Sequence, residues 1–288
     1  MRTIPILAAS FLLLSALPGW PVEKGITLEQ LCARSDLVVL GTLRSVKPAS
    51  GKADANGRYP IFADLDVKEV LYGREPSAPI VITWEDPEHR ECPHIDHTKT
   101  IGVTMIWCLW RSPDGTWSAD NSQCPQPLDK RAAVEKAVQE RLKPDLEILE
   151  RSPAVDAYHL LQCWNGHLLL SPAGEAYDRL YAAGPAAALG ARTLLRHERP
   201  VARAWGCLLL QTDVKSLLPM LDDAGIVPID LDGMESIGEW RKGATLSVGK
   251  LVLRILGVLA GKELKTAEEA RAWAESLKKP GPTPPSSP

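Results

Sequence analysis

The sequence has no surplus of charge of either sign. Its 33 basic and 36 acidic side chains leave a formal charge of −3 across 288 residues. A nucleic-acid binder normally carries a basic excess, so that class is set aside. Beyond the first residues there is no apolar run of about 18, so the chain is no multi-span membrane protein. Catalytic signatures are missing as well. No nucleophile elbow, phosphate-binding loop, dinucleotide glycine fingerprint or HExxH occurs. Serine, histidine and aspartate are present, but no local context assembles them into a triad. Nothing here predicts an enzyme. With 45% apolar and 24% charged residues, the composition is neither collagen-like nor that of a disordered chain.

What is there begins with an export signal over residues 1–19. Arg2 supplies the charge, and Ile4 to Leu17 form an apolar stretch interrupted by Pro5, Ser10 and Ser15. That stretch falls short of the roughly 20 apolar residues of a spanning helix. Cleavage after Ala16 or Gly19 fits the small residues there, with an uncleaved anchor as the alternative. Cys32 follows Glu29-Gln30-Leu31, which is no lipoprotein signal. The mature chain is expected to be secreted or periplasmic, off the membrane, in a compartment where disulfides persist. At the other end, residues 280–288 are proline-rich and carry no large apolar side chain, which predicts a frayed tail.

Residues 23–127 read as a strand domain. Thr27 and Gln30 form a capping box that opens a short helix. Asp36 to Leu43 is a β-branched and aliphatic strand. Ile61, Ala63, Leu65 and Val67 alternate with Phe62, Asp64, Asp66 and Lys68, the period of a half-buried antiparallel strand. Pro79–Trp84, Ile101–Trp110 and Thr116–Ser118 complete five short strands, which suggests a small closed barrel without exposed edges.

The helix with Cys32, then "ARSDLVVLGTLRSV", "IFADLDVKEVLYG" and a hairpin ending at Cys124, resembles the netrin-like OB barrel of tissue inhibitors of metalloproteinases. The S-D-L-V-V-L-G opening is also similar to that of secreted bacterial domains. The resemblance implies a disulfide between Cys32 and Cys124, closing a loop of about 90 residues and contributing about 4 kcal/mol. Cys92 and Cys108 are a further possible pair. Protease inhibition does not carry over. The inhibitors use an N-terminal cysteine, and several residues precede Cys32 after either cleavage.

Residues 128–279 read as helices. Asp129–Leu142 is amphipathic and expected to stop at Pro144. Ser152-Pro153 and Ser171-Pro172 read as N-caps followed by a first-turn proline. Further helices start at Pro185 and Pro200. Thr245–Leu259 is a long apolar helix ended by Gly261, and Thr266 to Glu269 is a second capping box. Residues 199–225, "RPVARAWGCLLLQTDVKSLLPMLDDAG", resemble a HEAT-type repeat, and 176–198 a degenerate copy. A plain helical bundle is the alternative.

The densest chemistry is His89, Cys92, His94 and His97 in the loop before the fourth strand. Imidazole and thiolate suit zinc or copper, although C-x-H-x-x-H is no structural zinc signature. Trp84, Trp107, Trp110 and Trp117 sit on strands; Trp107 and Trp110, three apart, should face opposite sides, as core packing or as a ligand platform. Asp230-Leu231-Asp232-Gly233 lies in a loop expected over 224–244 and reads as a turn rather than a calcium site. Cys163 and Cys207 are buried thiols or a helix-to-helix bridge. The expectation is a two-domain exported protein: an OB-like antiparallel barrel, then HEAT-like helical hairpins. It is expected to hold an unknown protein partner without catalysis or cofactor, with metal binding by the histidine loop as the alternative.

Overall fold

The computed structural model describes residues 26–47, 59–74, 80–85, 97–112, 115–119, 124–161 and 171–277. Helix α1 (Leu28–Arg34) opens on the expected capping box: Gln30 N–H donates to Thr27 Oγ1 at 3.2 Å, and Thr27 N–H to Gln30 Oε1 at 2.9 Å. Strands β1 (Leu37–Lys47), β2 (Pro60–Tyr72), β3 (Ile80–Glu85), β4 (Thr104–Arg111) and β5 (Trp117–Ser118) follow. Their pairing order is β1-β2-β3-β5-β4, and β4 returns to β1, so the ring of pairings closes. Every pairing is antiparallel except β3 with β5.

Side-chain period explains the packing. On β2, Ile61, Ala63 and Leu65 are buried while Phe62 is exposed and Asp64 and Asp66 are half-buried, as the alternation predicts. Leu37 through Leu43 are all buried, so β1 hides both faces at its start. Gly41 lies where β1 and β2 cross closely. A Cβ there would come within 2.9 Å of Leu65 Cδ1 and 3.1 Å of the Asp66 carbonyl.

The second half is mostly helical, with corrections to the expected boundaries. Helix α2 (Arg131–Arg151) does not stop at Pro144 but runs through it for 21 residues. A proline inside a helix costs about 3 kcal/mol. The buried face of Val134, Ala137, Val138, Leu142 and Leu149 spans the proline and offsets that cost. Ser152-Pro153 caps no helix. The Ser152 hydroxyl donates to the Ala154 carbonyl at 2.7 Å, and the chain extends into β6 (Val155–Asp156) before the short α3 (Ala157–Leu161). Ser171 does cap α4 (Pro172–Ala182), accepting the Gly174 N–H at 3.1 Å. Then come α5 (Ala187–Leu194), α6 (Pro200–Leu209) and the single-turn α7 (Val214–Leu217). Beyond α7 the chain tightens into a 3-10 turn, so the second arm of the HEAT-like segment is not a full helix.

The loop expected over 224–244 contains strands. β7 (Ile226–Asp230) pairs in parallel with β6 and antiparallel with β10 (Thr245–Ser247). β8 (Ser236–Ile237) and β9 (Trp240–Arg241) form a small hairpin. Val227 and Ile229 are buried between exposed neighbours, a strand period that the proline at 228 disguises. The helix expected from Thr245 therefore starts later, as α8 (Val248–Ala260). It is capped by Ser247 and ended by Gly261 in the left-handed conformation, φ 64°. The last helix is α9 (Ala267–Ser276), capped by Thr266; the Glu269 carboxylate takes the Lys265 N–H instead of closing a capping box.

One hydrophobic cluster runs from the barrel into the helices. Arg141 on α2 donates to the Cys32 carbonyl at 2.8 Å and the Ser35 carbonyl at 2.6 Å, and its guanidinium lies 4.1 Å from the Tyr72 ring centre. Arg131 holds Glu69 through two hydrogen bonds at 2.7 and 2.9 Å. Gly73 N–H donates to the Ala183 carbonyl at 2.9 Å. Among the described residues, no helix is long and apolar enough to cross a membrane.

Candidate functional site

Of the histidine loop, His89, Cys92 and His94 lie outside the described residues. His97 lies within them, in the barrel core, 2% exposed. Its ring meets Trp84 edge-on at 4.9 Å and Trp107 at 5.4 Å. Nε2 sits 3.0 Å from the Ala119 carbonyl oxygen. These contacts pack its ring among the buried side chains of the strand half. No group of three or more metal-ligating side chains occurs among the described residues. Trp107 is buried and Trp110 half-buried, as their spacing predicts. Trp107 Nε1 donates to the Gly41 carbonyl at 3.2 Å.

Cys32, Cys108 and Cys124 are buried thiols that converge where α1 meets β4. The Cys124 sulfur accepts the Cys108 N–H at 3.4 Å. The hydrogen bond from Cys108 holds the Cys32 thiol below its ordinary range, whereas that same bond and burial push Cys108 well up. Burial pushes Cys124 up to about 12. Cys207 is a thiol on α6, also pushed by burial to about 12. Cys92 and Cys163 fall outside the described residues.

A cavity of about 450 Å³ lies at the seam of the two halves. Arg74 comes from the end of β2, Tyr158 and His159 from α3, Tyr177, Asp178 and Tyr181 from α4, and Gln211 from the turn after α6. Tyr177 and Tyr181 are one helical turn apart, so their rings stack, 5.7 Å between centres and 9° between planes. The Arg74 guanidinium lies 3.8 Å over the Tyr181 ring, and its Nε donates to the Tyr181 carbonyl at 3.4 Å. Among the described residues, Arg74 pairs with no carboxylate. Among the described residues, the buried Tyr158 hydroxyl has no hydrogen-bond partner.

His159 is held behind this wall, its side chain 4% exposed. Nε2 is 3.4 Å from Asp178 Oδ1, Nδ1 is 3.6 Å from Asp156 Oδ2, and the ring stands edge-on to Tyr177 at 4.6 Å and Trp205 at 5.5 Å. Ser171 Oγ is 2.9 Å from both Asp156 oxygens. The order is serine, carboxylate, imidazole. A hydrolytic triad needs the imidazole next to the serine, so this serine is not activated as a nucleophile. The set stiffens the floor of the pocket. Burial also raises the Tyr177 phenol far above its ordinary range, so it stays neutral. A second pocket, about 580 Å³, lies on the far side of Asp156, between Pro144, Ile148, Pro153 and Asp230.

Sequence reasoning missed the seam pocket. Its one local signal was the i, i+4 tyrosine pair on α4; Arg74 reaches Tyr181 from 107 positions away in the chain. In comparisons with known proteins, no family model, no curated protein and no solved structure matches this chain.

Proposed function

We propose that this chain is an exported, noncatalytic binding protein that grips an acidic segment of a partner protein at the seam pocket. The carrying observation is Arg74, laid flat on Tyr181 at the pocket and without a carboxylate partner among the described residues. A guanidinium fixed by stacking keeps its N–H edges aimed, and a carboxylate can take them in a bidentate pair. Tyrosine and arginine are also the residues that dominate binding energy at protein interfaces. A volume of about 450 Å³ accommodates one large side chain of a bound segment.

The barrel is read as netrin-like and OB-like. The pairing order β1-β2-β3-β5-β4 and the helix carrying Cys32 at its opening support that reading. For the helical half, the packing of α5 on α6 supports a hairpin unit of HEAT-like kind, whereas the single turn of α7 departs from it.

Photo-crosslinking in the exporting cell tests the binding role. A photoreactive residue at Gln211, in the pocket, is compared with one at the exposed Glu268 on α9. The expected result is a discrete protein adduct at 211 alone, whose attached peptide contains Asp or Glu and which Arg74→Glu abolishes. Equal adducts at both positions, or an adduct indifferent to Arg74→Glu, would overturn the reading.

A further inference from the structure

We infer that the segment held at the seam pocket carries a lysine or arginine beside its acidic residue, and that Asp178 selects for this mixed charge. The selectivity presupposes the Arg74 grip proposed above. A wholly acidic segment would meet an obstacle in the same pocket, because Asp178 lines it together with Arg74, Tyr181 and Gln211. Asp178 and Tyr181 are three positions apart on α4, so they share a face of the helix. Arg74 lies 3.8 Å over the Tyr181 ring on that face. A carboxylate drawn to the guanidinium therefore comes near a second, fixed carboxylate.

Among the described residues, no ion pair joins Arg74 to Asp178, so neither charge is spent on the other. Asp178 Oδ1 faces His159 Nε2 at 3.4 Å, and the same imidazole faces Asp156 Oδ2 from Nδ1 at 3.6 Å. One imidazole between two carboxylates balances at most one of them, so this wall keeps negative charge. The Asp178 side chain is 30% exposed and open to an occupant, whereas that of His159 is 4% exposed. Like charges brought together across an interface are penalised, and specificity comes from such penalties as much as from new contacts. A lysine or arginine beside the acidic residue lifts the penalty: its cation pairs with Asp178 while the carboxylate pairs with Arg74. Two further groups suit a peptide occupant. The Gln211 carboxamide has the donor and acceptor that match a peptide unit. The Tyr158 hydroxyl, without a partner among the described residues, lies on a residue that lines the same pocket.

The test selects binders from a displayed library of random short peptides, using the full chain and its Arg74→Glu and Asp178→Asn variants. Asparagine keeps an oxygen facing His159, and thermal midpoints check that each variant is folded. The wild type should enrich peptides in which Asp or Glu lies next to Lys or Arg. Asp178→Asn should keep the acidic preference and lose the basic one. A synthetic copy of an enriched peptide, and the same peptide with its basic residue changed to Glu, are then titrated in solution. The changed peptide should bind the wild type roughly 10-fold more weakly, and Asp178→Asn should narrow that gap to about threefold or less. Acidic peptides enriched on the wild type without basic neighbours, or an equal gap in both proteins, would overturn the role of Asp178 and leave the Arg74 grip standing. No enrichment, or enrichment indifferent to Arg74→Glu, would overturn the grip as well.

Discussion

Replacing His97 by alanine should destabilise the protein by about 3 kcal/mol, with or without a chelator present. The figure follows from what the ring touches. Edge-on contacts to Trp84 at 4.9 Å and Trp107 at 5.4 Å are worth about 0.5–1.5 kcal/mol each. The hydrogen bond between Nε2 and the Ala119 carbonyl adds about 1 kcal/mol. The hole left among fully buried neighbours adds a cavity penalty, because Trp84 and Trp107 cannot both collapse into it. Urea denaturation of wild type and His97→Ala, each with and without a chelator, reads the effect, with tryptophan fluorescence as the signal. Those two tryptophans flank the substitution, so the native spectrum should shift as well. A loss below about 1 kcal/mol would refute the packing argument. A wild type that the chelator weakens as much as the mutation does would show that His97 serves a metal instead.

Arg141→Ala should cost about 2–3 kcal/mol, since it removes charge-assisted bonds to the Cys32 and Ser35 carbonyls and the stacking on Tyr72. Arg141→Lys should recover little of it in thermal denaturation, because an ammonium cannot both stack and bridge two carbonyls; full recovery would contradict that geometry. Asp223 is held below the usual carboxylate range, first by its hydrogen bonds from Arg203 at 2.6 and 2.9 Å. A lowered folded-state value means stability present above the unfolded value near 4 and lost as pH falls through the folded one. Asp223→Asn should therefore cost about 2 kcal/mol at pH 7 and progressively less below about pH 4. A pH-independent penalty would argue that the carboxylate's charge is not what matters.

Local chemistry made the caps readable: Thr27, Ser171 and Thr266 all begin helices, as hydroxyls accepting a nearby N–H do. Alternation on β2 was equally direct, because one face is buried and the other wet. Errors arose where tertiary packing overrides a local signal. Pro144 reads as a stop, yet α2 continues because its apolar face is held on both sides of the proline. Ser152-Pro153 has the letters of a cap, but β7 captures the following residues as β6. β7 itself was masked by a proline and by acidic neighbours. The seam pocket was invisible for a different reason. It joins the end of β2, α3, α4 and the turn after α6, and nothing in the sequence encodes their proximity. In the histidine loop, residue type suggested a ligand at His97; its ring is buried between two tryptophans, and the other three expected ligands lie outside the described residues.

The proposed binding role turns on whether Arg74 and the tyrosines hold an acidic segment. The most direct measurement is the affinity of the acidic peptide recovered at Gln211, titrated against wild type, Arg74→Ala and Tyr181→Ala. Loss of a bidentate carboxylate pair, worth about 1.5–3 kcal/mol, predicts a roughly 10- to 100-fold weaker complex for Arg74→Ala. Tyr181→Ala should weaken it too, by freeing the guanidinium from its stacked position. An affinity unchanged in both variants would contradict the account.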